Sequence, residues 1–508
     1  MFVKVVLLIV FFTIMVLVGL YSRKHTSSVG GFVLGGRAVG PWLTAFAYGT
    51  TYFSAVVFIG YAGQFGWKYG ISATWIGIGN AFIGSLLAWV VLGRRTRVMT
   101  HHLKSTTMPD FFGSRYDSRA LRIVASAIAF IFLVPYTASV YKGLSGLFGM
   151  AFDVPYEVCI VVMAVLTGVY VILGGYMATA INDFIQGIIM LGGIVAVIAA
   201  VLNNNGGFIE AVGKLAQLNS DIPVTQGQPG AFASFFGPDP VNLLGVIILT
   251  SLGTWGLPQM IHKFYTIKNE KAIKTGTIIS TVFAIVISGG CYFIGSFGRL
   301  YDSDAIKNAN GSVAMDAIVP HMLSTLSNAL IGIVVVLVLS ASMSTLASLV
   351  MTSSSTLTLD FIKGNIIKSM SEKKQLLAMR ILIVCFIALS VAIAIKPPTF
   401  IAQLMGISWG ALAGSFLAPF LYGLYWKRVT KAAVWASFAA GVGITVSNIY
   451  LKYIASPINA GAIAMIAGLI VVPVVSVLTP KPNKDKINNI FACYEETVVV
   501  HTRESIEE

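Results

Sequence analysis

The chain has 508 residues, 56% hydrophobic and only 11% charged, with a mean hydropathy of +0.83, whereas about a quarter of the residues in a soluble domain are charged. This composition excludes a soluble fold and makes lipid the main solvent. The formal charge of +14 does not point to nucleic acid, because Lys and Arg lie between long apolar segments and not on a basic face.

Crossing hydrocarbon takes roughly 20 predominantly apolar residues as helix, because a helix satisfies its own backbone there. Thirteen segments qualify, at 2–22, 42–65, 71–93, 120–142, 155–175, 182–202, 240–262, 274–297, 326–359, 378–396, 399–426, 432–453 and 459–479. The first is of span length and runs into Ser22-Arg23-Lys24 without a small-residue cleavage site, so it reads as a retained helix and not a signal peptide. Basic residues favour alternate intervals: Arg23, Lys24 and Arg37 after the first segment, Arg94, Arg95, Arg97, Lys104, Arg115 and Arg119 after the third, Lys363, Lys368, Lys373 and Lys374 after the ninth. The positive-inside rule then predicts an all-α polytopic protein of the plasma membrane, amino end outside and carboxyl end cytoplasmic. One transmembrane domain fills 1–480, followed by a short cytoplasmic tail over 481–508. Cys159, Cys291, Cys385 and Cys493 form no CxxC pair, which gives neither a disulfide framework nor a zinc site.

Two segments are interrupted. The second carries Gly49-Thr50-Thr51-Tyr52-Phe53-Ser54 at its middle, and the seventh carries Ser251-Leu252-Gly253-Thr254-Trp255-Gly256-Leu257-Pro258. Glycine and proline weaken a helix, and in lipid the freed amides and carbonyls need partners in protein, water or ligand. A simple kink would leave the same local sequence. The breaks, however, lie five segments apart and each opens a group of five, 42–202 and 240–426. An odd number of spans inverts the second group, and paired interruptions at matching positions of inverted halves point to a midplane transport site. Segment 2–22 is then an extra leading helix and 432–479 a trailing pair.

The ninth segment holds Ser340-Ala341-Ser342-Met343-Ser344-Thr345-Leu346-Ala347-Ser348. Ser344, Thr345 and Ser348 are spaced to share a helix face. A hard monovalent cation wants about five oxygens, which hydroxyls and the carbonyls of an unwound helix supply without net negative charge. Ser and Thr also serve as small packing residues between membrane helices, which is the competing reading.

Further motifs carry a resemblance. They are Gly35-Gly36-Arg37-Ala38-Val39-Gly40-Pro41, Pro109-Asp110-Phe111-Phe112, Gly174-Gly175-Tyr176 followed by Asp183-Phe184-Ile185-Gln186, Ala341-Ser342-Met343-Ser344-Thr345, and Pro419 with Leu424-Tyr425-Trp426-Lys427-Arg428-Val429-Thr430. Over about 2–480 the chain resembles the sodium:solute symporter family, which implies a leucine-transporter-like five-plus-five inverted repeat with an added amino-terminal helix. The resemblance implies a sodium site made by the carbonyls of Thr50, Phe53 and Ala341 and the hydroxyls of Ser344 and Thr345. It also implies a possible second cation site at Asp183 with Ser348, where Ala347 lacks a hydroxyl that relatives with two sodiums have. Placed at the start of segment 182–202, Asp183 reads equally as a helix cap.

Proline carriers of that family have an aspartate where Tyr52 stands, and an aromatic pair where Thr250 and Thr254 stand, so the cargo is left as a small organic solute such as an amino acid or a monocarboxylate. No Arg or Lys falls mid-span between the core segments by these limits, which disfavours a cargo of several negative charges. Thr51, Ser54, Tyr136, Thr254, Trp255 and Gln403 are the expected solute-binding residues. No catalytic residue is expected: the His101-His102 pair lacks zincin spacing and sits among Arg94, Arg95, Arg97 and Lys104, as a headgroup-facing loop would. The partners expected are the solute, sodium and lipid. An ion channel or a proton-coupled carrier of the same fold stands as the alternative.

Overall fold

The computed structural model describes residues 2–23, 26–152, 155–363, 365–367 and 369–495; residues 496–508 of the expected tail lie outside them. The main helices are α1 (Phe2–Ser22), α2 (Pro41–Tyr52), α3 (Ala62–Tyr69), α4 (Arg119–Phe152), α5 (Tyr156–Asn204), α6 (Pro240–Leu252), α7 (Pro258–Thr266), α8 (Glu270–Ala284), α9 (Asn328–Thr356), α10 (Glu372–Ile395), α11 (Ile401–Tyr425), α12 (Lys431–Leu451) and α13 (Pro457–Leu478). Among the described residues no strand forms, only isolated bridges. Several starts are set by side chains that satisfy the first free amides. Asp239 accepts from Asn242 N at 3.2 Å ahead of Pro240, Asn269 from Ala272 N at 2.9 Å, and Thr430 from Ala433 N at 3.3 Å.

Ten described helices are long and apolar enough to cross a membrane, and α6 with α7, bent by 46°, makes an eleventh. Two of them, Val56–His102 with 47 residues and Tyr156–Asn204 with 49, are too long for one crossing, since 20 residues already span about 30 Å. Each is interrupted at a glycine with a left-handed backbone: Gly70 at φ 60° and Gly175 at φ 57°, ψ −155°. A Cβ at Gly70 would lie 2.1 Å from the Phe232 carbonyl oxygen, so both conformation and space exclude a side chain there.

Two predicted limits shift. The segment expected at 182–202 is helical from just beyond Gly175, which puts Asp183 about two turns inside the helix and fully buried, so it caps nothing. The segment expected to end at 262 continues to Thr266, because Pro258 at its first turn restarts the helix. Lys263 is therefore inside the protein, 2% exposed, and it corrects the expectation that no basic residue lies between the core helices.

α9 packs against α4, α5 and α2 and is the centre of the bundle. Every residue from 340 to 356 on it is buried, so its hydroxyls meet protein on all sides and not lipid. Ion pairs clasp both ends of the bundle. Arg122 binds Asp360 at 2.8 Å and Asp110 at 3.3 Å on the face that carries Arg94 to Arg119, and Lys142 binds Asp316 at 2.6 Å on the other.

Candidate functional site

The first break lies at Phe53, whose backbone leaves the helix at φ −108°, ψ 90° after α2 ends at Tyr52. Phe53 N still donates to Gly49 O at 3.0 Å, and the chain restarts with Val57 N and Phe58 N on Ser54 O at 2.9 and 3.2 Å. The carbonyls of Thr50 and Thr51 are thus released from the helical ladder, and they turn to α9. Ser344 Oγ lies 3.0 Å from Thr50 O and 3.1 Å from Ala341 O. Thr345 Oγ1 lies 3.1 Å from Thr50 O, 3.2 Å from Thr51 O and 3.1 Å from Ala341 O. Each hydroxyl has one proton, so two protons face five close oxygen contacts. The surplus is lone-pair density inside a buried cluster, and a desolvated cation is the species that such density stabilises. Thr50, Ala341, Ser344 and Thr345 converge here, and Phe53 occupies the break itself, fully buried.

The second break is closed by side chains. Between α6 and α7 the chain passes through a tight turn over Gly253–Gly256 and an extended Leu257. Tyr52 Oη donates to Thr250 O at 2.6 Å, which joins the two broken helices directly. Facing them, Asn80–Leu87 is π-helical, and such a stretch frees carbonyls that a regular helix would use. Ile83 O accepts from Trp255 Nε1 at 3.0 Å, and Gly84 O accepts from Tyr48 Oη at 2.6 Å and Thr254 Oγ1 at 3.2 Å. Glycine is required at 84, where a Cβ would fall 2.2 Å from Tyr52 Oη. The ring of Tyr52 stacks on Phe53 at 4.2 Å and leans toward Trp409 at 6.2 Å.

One turn along α9 from Ser344 and Thr345, a charged group adjoins the hydroxyls. Lys263 Nζ on α7 donates to Ser348 Oγ at 2.9 Å and lies 3.9 Å from Asp183 Oδ2 on α5. Ser348 Oγ in turn pairs with Thr51 Oγ1 at 2.9 Å. Asp183, Lys263, Ser348 and Thr51 thereby form one buried chain ending in the first break. Lys263 is the residue that a hydropathy limit hides: its sequence signal is a base five residues beyond the Pro258 restart, between His262 and Phe264.

Of the residues expected to hold a solute, five surround the breaks. Thr51 and Thr254 are bonded as above, Ser54 Oγ accepts from Val56 N at 3.2 Å, and Trp255 is anchored to Ile83 O. Tyr136 on α4 is fully buried, its ring 5.9 Å from Trp409 and edge-on to it. Gln403 lies apart from these five. It accepts from Thr399 at the start of α11 and lines a separate groove of about 640 Å³ with Ile131, Pro135, Asn448 and Lys452.

The chain matches the sodium:solute symporter family over residues 32–441. It is 29% identical over 505 residues to the sodium/proline symporter of Staphylococcus aureus strain JH9, with 94% of this chain and 93% of that one covered. Its fold is similar to that of a Na+-coupled sialic acid symporter in a substrate-bound outward-open state, with a TM-score of 0.74 at 18% identity over 95% of this chain and 99% of the other. A nucleobase-cation-symport-1 family transporter, closed with bromovinylhydantoin bound, aligns with a TM-score of 0.51 at 13% identity over 90% and 97%. A match over most of the sequence, on a bundle with ten or more helices apolar enough to cross a membrane, leads to one assignment: the chain belongs to the sodium:solute symporter family and is an integral, multi-pass sodium-coupled symporter, not an enzyme.

Proposed function

We propose that the protein carries a small organic solute into the cell with sodium by alternating access, and that the cargo is neutral, zwitterionic or singly charged. The observation that carries this reading is the cluster of Thr50, Ala341, Ser344 and Thr345 oxygens between a broken helix and α9, with more acceptors than protons. Sodium binds there, with the Phe53 carbonyl as a further ligand, and Asp183 with Ser348 is a second cation position. Binding ties α2 to α9 and favours the outward-open form, since an ion shifts a conformational equilibrium only by its differential affinity for the two states.

The solute lies beside the breaks, against Thr51, Ser54, Tyr136, Thr254 and Trp255. A single carboxylate needs no basic side chain in such a place, because the amides at the start of a half-helix present positive potential. A proline-type amino acid is supported by the sodium/proline symporter among the relatives, and a monocarboxylate fits the same chemistry. Counting 41–69 as one broken crossing and splitting the two long helices at Gly70 and Gly175 gives thirteen crossings, amino end outside and carboxyl end in the cytoplasm of a plasma-membrane protein.

The test is uptake of labelled proline, other amino acids and monocarboxylates into proteoliposomes under an inward sodium gradient. Saturable accumulation that disappears when choline replaces sodium is expected. Currents that flow without any organic solute would make the protein a channel instead.

A further inference from the structure

Resting on the reading of Asp183 and Ser348 as a second cation position, we propose that this position has a resident cation of its own: the ammonium of Lys263, tethered by α7, takes the place of a second sodium. One sodium then crosses per cycle.

Asp183 is fully buried, and neither of its carboxylate oxygens has a hydrogen-bond partner among the described residues. A charge withdrawn from water without donors must be compensated by a nearby opposite charge. Lys263 Nζ at 3.9 Å is the cation that faces it. The ammonium is itself held in place, donating to Ser348 Oγ at 2.9 Å and lying 5.2 Å from the centre of the Tyr176 ring. The ammonium thus already contacts the two side chains, Asp183 and Ser348, that a sodium would need.

Space and donors agree. The cavity bounded by Tyr176, Thr179, Gln259, Lys263, Ser348 and Thr352 has a volume of about 10 Å³, at the lower edge of what one water needs. Position 347, one residue from Ser348, is alanine and adds no oxygen. A sodium could enter only if the lysine left, and the lysine is covalently fixed.

The arrangement also gives the lysine a part in transport. Ser348 passes from Lys263 to Thr51 Oγ1 at 2.9 Å, and the carbonyl of the same Thr51 lies 3.2 Å from Thr345 Oγ1 of the first site. The tethered charge therefore acts as a positioning residue for the first break, with no ion to bind or release.

The experiment is equilibrium binding of radioactive sodium to the purified full chain in lipid nanodiscs. Wild type is expected to bind one sodium per chain, Lys263→Ala two, and the double variant Lys263→Ala, Asp183→Asn one again; Lys263→Arg keeps the cation and stays at one. Two sodiums on wild type, or one on Lys263→Ala, overturn the proposal. Should Lys263→Ala fail to fold, the charge-free double variant Asp183→Asn, Lys263→Met decides: its count stays at the wild-type value if the lysine fills the site and falls by one if Asp183 binds sodium. Failure of the first site is separate. If Ser344→Ala with Thr345→Ala leaves wild-type binding intact, sodium lies elsewhere, while the Asp183-dependent increment in Lys263→Ala still reports on the lysine.

Discussion

Two positions one helical turn apart on α9 solve the same electrostatic problem in opposite ways. Around Ser344 and Thr345 the oxygens are neutral, crowded and short of protons, so the cluster gains from a mobile cation. Around Ser348 the oxygen partner is a full carboxylate, and a covalently attached ammonium meets it. Neutral ligands keep the cost of an empty site low, as a carrier that releases its ion each cycle needs. A bare buried carboxylate would cost far more, which is why the charged position keeps its cation throughout.

The comparison breaks hardest at Asp183. Removing one member of a buried ion pair strands the other and costs about 3–5 kcal/mol. Asp183→Asn is expected to lower the unfolding midpoint of the detergent-solubilised protein by the largest margin of any change considered, and Lys263→Met in the same chain is expected to restore most of it. A thermal-shift cycle of the two single variants and the double variant measures this coupling. If the double variant is no more stable than Asp183→Asn alone, the two groups do not compensate each other.

At the neutral position the effect falls on ion binding and not on folding. Hydrogen bonds and contacts to a charged group are worth about 1.5–3 kcal/mol each, so Ser344→Ala with Thr345→Ala is expected to weaken sodium binding by on the order of 100-fold or more. Stability should change much less, since each alanine removes a hydroxyl that competes for shared carbonyls. Through linkage the apparent affinity for solute in uptake assays drops as well. Sodium dependence that stays at the wild-type value would rule out this position as the ion site.

The two breaks differ in a related way, because the second is sealed by aromatic side chains whereas the first is left to hydroxyls. Tyr52 is the link between them, through Thr250 O. Tyr52→Phe keeps the ring stacked on Phe53 and deletes one hydrogen bond, leaving a buried carbonyl short of a donor, at a cost of about 1–3 kcal/mol. The expected result is a faster, leakier or lower-affinity carrier with a modestly reduced midpoint, read by sodium-driven uptake and thermal shift together. An unchanged profile in both would mean that the tyrosine only fills space.

How much of this is readable in the sequence depends on the distance over which the partners act. The hydroxyl cluster on one apolar helix and the glycine and proline interruptions are local, so the meeting of Ser344 and Thr345 with Thr50 and Ala341 follows from pattern and family resemblance. Lys263 is hidden from a hydropathy reading for a physical reason: hydropathy counts a lysine as an exit from the membrane, and the carboxylate that cancels its charge is 80 positions away on α5. The depth of Asp183 is hidden in a similar way, because Gly174-Gly175 looks like a loop several residues long and a single left-handed glycine makes the whole turn. Gln403 shares a helix with Trp409 but faces a different groove, a matter of helix phase that residue type does not set.

The smallest effect is expected where charges are most exposed. Lys486, on the short helix Lys484–Ala492, meets Asp117 at 2.8 Å, with the two side chains 65% and 67% exposed. The ammonium holds the Asp117 carboxyl below its ordinary value, so the attraction is present above the usual aspartate range and is lost as pH falls through that lowered value. Exposed pairs contribute about 0.2–1 kcal/mol and are screened by salt. Lys486→Ala should therefore leave the thermal midpoint and sodium binding close to wild type at physiological salt, and the difference should vanish on acidification. A large loss would require the tail helix to be held by this pair, whereas Ile487 and Phe491 already bury its apolar face. The same ion-pair chemistry thus spans the whole range of effect, from several kcal/mol between Asp183 and Lys263 to nearly nothing here, with water as the deciding variable.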